Sequence, residues 1–128
     1  MSLPYTEELR FLFPALKTHE PLSRHTTWGI GGPADYYVEV RSAAEMEQIV
    51  SWTRLHRMPL MPLGQGSNLL VSDRGVRGVT VRLRGDFESF RFEGDRVVAG
   101  AGVLLPQISR AAAERGLTGA EPFCGIPG

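Results

Sequence analysis

The stretch from Asp35 to Asn68 constrains this chain more than any other. Asp35 to Val40 carries Tyr36, Tyr37, Val38 and Val40, side chains that suit a pleated, buried strand. Ser42 with Glu45 then makes a capping box, in which a hydroxyl and a carboxylate each satisfy a backbone N–H that a helix start leaves without a partner. The spacing predicts a helix from there to about His56, with Met46, Ile49 and Val50 on its apolar face. Pro59 lies beyond its end, and Leu60 to Leu63 reads as a second strand. Strand, helix and strand in this order predict a right-handed βαβ unit with parallel strands.

That second strand runs straight into Gly64-Gln65-Gly66-Ser67-Asn68. Glycines let successive backbone N–H groups turn toward one point, which makes a nest for an anion. Ser67 and Asn68 add side-chain donors for phosphate oxygens. The loop is not a P-loop, because no Lys-Ser/Thr pair follows the second glycine. Nor is it a dinucleotide fingerprint, because Leu69 stands where glycine is needed and a strand, not a helix, is expected next. A tight turn between two strands is the plainer reading of the same residues. Thr26-Thr27-Trp28-Gly29-Ile30-Gly31-Gly32 is a second glycine-rich loop whose hydroxyls suit a cofactor or merely a surface turn. Gly119 to Gly128 holds two prolines and predicts a rigid, extended path fit to lie along a planar ligand, or a linker.

The rest of the chain frames these loops. Tyr5 to Phe13 predicts a short helix interrupted by Pro14, and the run to Arg24 reads as irregular. Leu69 to Val71 and Val79 to Leu83 read as short strands, split by a turn at Ser72-Asp73-Arg74-Gly75. From Gly85 the pattern changes to a hairpin, with Phe90 and Phe92 before Glu93-Gly94-Asp95 and Val97 to Ala99 after it. Pro106 suits the first turn of a helix with Leu105, Ile108 and Ala112 buried, and Gly116 ends it. The change at Arg84-Gly85 divides the chain into an N-terminal segment over 1–20, an α/β lobe over 21–84 and the start of an α+β lobe over 85–128.

Composition removes several function classes. The 14 basic and 14 acidic residues cancel, which argues against nucleic acid as a partner. No apolar run approaches the roughly 18 residues needed to span a bilayer, and the acidic start does not read as a signal peptide, so a cytoplasmic protein is expected. Cys124 is the only cysteine and reads as a packing residue. His19, His25 and His56 lack metal-ligand spacing, and Ser67 and Ser109 lack a base partner, so neither a metal centre nor a hydrolase triad is expected.

Taken together, the loops resemble the UDP-N-acetylenolpyruvoylglucosamine reductases. The resemblance is carried by His25 to Asp35, by Leu63 to Asp73, by Ala99-Gly100-Ala101-Gly102, and by Gly119-Ala120-Glu121 leading to Gly125-Ile126-Pro127-Gly128. Trp28 stands where Phe is common in that family. The resemblance implies an α+β, two-lobed FAD-binding domain of the vanillyl-alcohol-oxidase (PCMH) type, with its second lobe cut short within these residues. It places Gly64, Gln65, Gly66, Ser67 and Asn68 on the FAD pyrophosphate, Thr26 and Leu69 in the cofactor-binding set, and Ile126, Pro127 and Gly128 beside the flavin.

The implied reaction uses NADPH and FAD to reduce the enolpyruvyl double bond of a UDP-sugar, giving UDP-N-acetylmuramate for peptidoglycan. In that family a serine proton donor and a charge-stabilising arginine and glutamate follow the Ile-Pro-Gly motif. No residue here is therefore assigned to catalysis. These 128 residues alone are expected to be inactive, to bind FAD weakly and to self-associate through apolar surface left uncovered. Two other readings stay open: another FAD-dependent oxidase on the same cofactor fold, and a non-catalytic module that binds a nucleotide or simple anion.

Overall fold

A computed structural model describes residues 2–126. Helix α1 (Thr6–Leu12) leads to strand β1 (Lys17–Pro21) and a 3₁₀ turn at Leu22–His25. Strand β2 (Pro33–Val40), helix α2 (Ala43–Leu55), strand β3 (Leu60–Leu63) and strand β4 (Val76–Leu83) complete a four-stranded sheet in the order β1-β2-β4-β3. A separate hairpin of β5 (Phe90–Glu93) and β6 (Arg96–Ala99) precedes helix α3 (Leu105–Glu114).

The strand-helix-strand unit forms as its pattern predicts, with one strand more than expected between its arms. Strands β2 and β3 both pair in parallel with β4, which lies between them. The Ser42 hydroxyl accepts from the Glu45 N–H at 3.3 Å. The Glu45 carboxylate reaches one residue further back than a standard capping box and accepts from the Arg41 N–H at 2.6 Å. Ile49 is fully buried while Met46 and Val50 are half-buried, and Trp52 completes the apolar face.

The sheet is covered on both faces. Tyr36, Val38, Val40, Val79 and Val81 pack with Ile49 and Trp52 of α2 and with Leu9 and Phe13 from the α1 region. Trp52 Nε1 donates to Glu8 at 2.7 Å and the Tyr36 hydroxyl accepts from the Tyr5 N–H at 3.0 Å, so α1 is pinned at both ends of its contact. Leu22, Ala34, Tyr37, Leu63 and Val71 form a smaller core on the other face, beneath the glycine-rich loops.

Four sequence expectations are corrected. The run before Arg24 is not irregular: Lys17–Pro21 is an edge strand antiparallel to β2. Its single buried residue, Glu20, and its terminal proline hide the usual alternation. Leu69 to Val71 is not a strand; it crosses the second core as irregular chain, with Val71 buried and Leu69 partly so. The Gly119–Gly128 segment is not extended throughout, because Glu121–Gly125 winds into a 3₁₀ turn, and Cys124 is exposed rather than packed. Within it Glu121 accepts from the Gly119 N–H at 2.7 Å.

Helix α3 begins and ends as expected. Pro106 lies in its first turn, and Ile108 and Ala112 are buried. Gly116, at φ 69°, lets its own N–H reach the Ala113 carbonyl and the Leu117 N–H reach that of Ala112, both at 2.9 Å. The Arg115 guanidinium sits 4.5 Å from the centre of the Phe92 ring and ties the helix to the hairpin.

Candidate functional site

In a parallel sheet the loops after the strand ends face the same edge, and ligands collect there. Here β3 ends at Leu63 and β4 at Leu83, and both border a cleft of about 570 Å³. Gly64, Gln65 and Arg82 form one wall; Ala99 to Leu105 and Ile108 form the other. The cleft thus brings together two segments that the sequence set apart, Gly64-Gln65 and Ala99 to Gly102.

Gly66 fixes the shape of the loop. Its φ is 67°, and an added Cβ would stand 2.1 Å from the His25 carbonyl oxygen. Its own carbonyl accepts from the Thr27 N–H at 3.0 Å. The two glycine-rich loops are therefore docked backbone to backbone, which only a residue without a side chain permits. Among the described residues, the backbone N–H groups of Gly64, Gln65, Gly66 and Asn68 have no acceptor. Such N–H groups at the end of a parallel strand, two of them on exposed residues, are available to an anion.

A polar network runs beneath this loop. Glu20 is buried and lies 2.9 Å from His25 Nε2 and 3.4 Å from Lys17 Nζ. Burial alone would raise its carboxyl, but the hydrogen bonds from His25 and Lys17 outweigh that and hold it below the ordinary 4.5. The His25 ring stacks on Tyr37 with centroids 4.4 Å apart. Burial pushes the Tyr37 phenol up, while Arg82 pulls it back. Arg82 Nη1 lies 3.4 Å from His25 Nδ1, and its Nη2 donates to Gln65 Oε1 at 3.1 Å. A guanidinium only donates, so His25 Nδ1 accepts and Nε2 holds the proton facing Glu20.

The remaining expected site residues are placed as follows. The Thr26 hydroxyl is turned into its own loop, donating to the Ile30 carbonyl at 2.8 Å. Leu69 packs against the second core. Ile126 is exposed at the end of the last 3₁₀ turn, and Pro127 and Gly128 lie outside the described residues. Sequence reasoning missed His25 and Arg82. Residues 20, 25, 37, 65 and 82 share no period or motif, and only the tertiary fold brings them together.

The residues present fit a flavin nucleotide: leftover N–H donors for a pyrophosphate beside a cleft with both polar and apolar walls. Known proteins point to the same cofactor. Residues 34–128 match the family described as FAD binding domain. A UDP-N-acetylenolpyruvoylglucosamine reductase of Rubrobacter xylanophilus is 45% identical over 120 residues, covering 94% of this chain and 40% of the relative. That of Moorella thermoacetica is 48% identical over 110 residues, covering 86% and 36%. The crystal structure of UDP-N-acetylenolpyruvylglucosamine reductase (MurB) from Thermus caldophilus superposes with a TM-score of 0.68 at 38% identity, over 88% of this chain and 37% of that one. The chain thus spans about two-fifths of the length of the relatives it matches. It belongs to the FAD-binding domain family, in the form shared with the UDP-N-acetylenolpyruvoylglucosamine reductases.

Proposed function

We propose that this chain is the FAD-binding portion of a reductase that uses NADPH to reduce UDP-N-acetylenolpyruvoylglucosamine to UDP-N-acetylmuramate in peptidoglycan synthesis. In this reading 21–84 is the first cofactor lobe and 85–128 begins the second. The observation that carries it is the set of N–H groups without acceptors among the described residues at Gly64, Gln65, Gly66 and Asn68, of which Gly64 and Gln65 line the cleft between β4 and the Ala99–Leu105 segment. The flavin supplies the hydride chemistry, and these residues bind and orient it. The Gly64–Asn68 amides meet the pyrophosphate, while Leu104, Leu105 and Ile108 give the cleft an apolar wall that excludes water. The resemblance assigns the proton donor and charge stabilisers to the segment that follows Ile-Pro-Gly in relatives, so the role proposed for the residues here is to hold the cofactor.

The test is an FAD titration followed by flavin fluorescence polarisation, with ATP as a rival ligand. FAD is expected to bind saturably and ATP far more weakly. Gly66→Val adds a Cβ against the His25 carbonyl at a positive φ and is expected to abolish FAD binding. Equal affinity for ATP and FAD favours a plain nucleotide-binding module, and unchanged FAD binding by Gly66→Val removes the loop from the site.

A further inference from the structure

Of the chain's arginines, only Arg82 and Arg84 are withdrawn from solvent; the others are exposed. Arg84 pairs with Glu39 and Glu88. Arg82 has no carboxylate within 4.0 Å among the described residues. Its guanidinium meets Gln65 Oε1, His25 Nδ1 and the Tyr37 phenol, and none of these groups brings it a carboxylate's negative charge. Withdrawing a cation from water is unfavourable unless a counter-charge offsets it. Arg82 is therefore half-buried and electrostatically incomplete, and it lines the cleft beside the N–H groups of Gly64 and Gln65.

We propose that Arg82 binds the cofactor directly and supplies the counter-charge for the FAD pyrophosphate held at the Gly64–Asn68 loop. The inference rests on the FAD reading above and adds to it a specific charged contact. Backbone N–H groups offer a doubly negative pyrophosphate only partial charges, whereas a guanidinium brings a full charge with several donors in one plane. Two of those donors are committed to Gln65 and His25, which fixes the plane of the group in advance. The remaining donors serve the ligand. Arg82 thus does for charge what Gly66 does for shape. The rival role is a strut: Arg82 holds the Gln65 side chain, shapes the loop through it and touches no cofactor.

Equilibrium dialysis against FAD and against riboflavin, which carries the same ring system without phosphate, separates these roles. Arg82→Met is expected to weaken FAD binding about tenfold, the loss of one charged hydrogen-bonding partner, and to leave riboflavin within about twofold. Arg82→Gln, a neutral side chain able to keep a hydrogen bond, is expected to show the same selective loss should the Met variant not fold. Arg82→Lys, which keeps the charge, is expected to recover most of the FAD affinity, and Gln65→Ala to lose less than Arg82→Met. The proposal is overturned if the neutral variants bind FAD within about twofold of the parent, or if riboflavin binding falls in parallel with FAD. It is also overturned if Arg82→Lys and Gln65→Ala lose as much as Arg82→Met, the signature of a strut. Failure of the FAD reading looks different: the parent chain then binds no FAD, or Gly66→Val binds it normally. Loss of binding in Gly66→Val with normal binding in the neutral Arg82 variants sinks the Arg82 assignment alone.

Discussion

At Asp35 a single side chain serves two partners of unequal weight. Its Oδ2 accepts from the buried Gly78 N–H at 3.1 Å, and its Oδ1 lies 2.6 Å from the Arg77 guanidinium, which is mostly exposed. Removing the acceptor leaves a buried N–H unsatisfied, which costs about 1–3 kcal/mol, whereas an exposed ion-pair partner contributes about 1 kcal/mol or less. Urea unfolding is therefore expected to show Asp35→Ala as clearly more destabilised than Arg77→Ala; the reverse order would locate the stability in the ion pair. Glu20 sets a pH dependence of known sign. Its folded pKa lies below the ordinary 4.5, so the stability it contributes is fully present above 4.5 and is lost as pH falls through the lowered value. The stability gap between the parent chain and Glu20→Gln, measured by urea unfolding from pH 7 down to 3, is expected to narrow on the acid side. A gap that stays constant contradicts the role given to the His25 and Lys17 contacts.

Among the elements, helix α2 shows how much a local signal specifies. Ser42 and Glu45 mark its start, and the cap they form is worth about 1 kcal/mol. Ser42→Ala is expected to lower the unfolding free energy by about that amount without changing the shape of the circular dichroism spectrum. No measurable loss would mean that packing of Ile49 and Trp52 alone holds the helix start. Elements with such signals were legible: β2, α2, β3, the hairpin around Gly94-Asp95, and α3 with its glycine end. Strand β1 was not, because an edge strand with one buried position lacks alternation, and its partner β2 is supplied by tertiary pairing. Leu69 to Val71 misled for the converse reason. Its apolar residues serve the second core from irregular chain, and burial alone does not distinguish that from a strand. The same limit applies to the site. The Gly64–Asn68 nest announces itself in consecutive residues, whereas the Glu20–His25–Tyr37–Arg82 network is assembled from four elements across the fold.

In the molecule as a whole, three features meet at one edge of the sheet: parallel strand ends, a loop shaped by Gly66, and a cleft closed on its far side by Ala99 to Ile108. Among the described residues no helix is long and apolar enough to cross a membrane. Trp28, Ile30 and Leu70 are exposed on the neighbouring loops, and Phe123 and Ile126 on the last turn, which supports the proposal that these residues self-associate unless covered. The central claim is that the Gly64–Asn68 amides receive the pyrophosphate of FAD. Its most direct test is an amide-resolved NMR titration of the chain with FAD. The account predicts that the largest saturable shifts fall on Gly64, Gln65, Gly66 and Asn68, with smaller ones along Ala99 to Leu105, and that riboflavin leaves the loop amides unmoved. Saturable FAD shifts that bypass residues 64–68, or no shift anywhere at millimolar FAD, would contradict it.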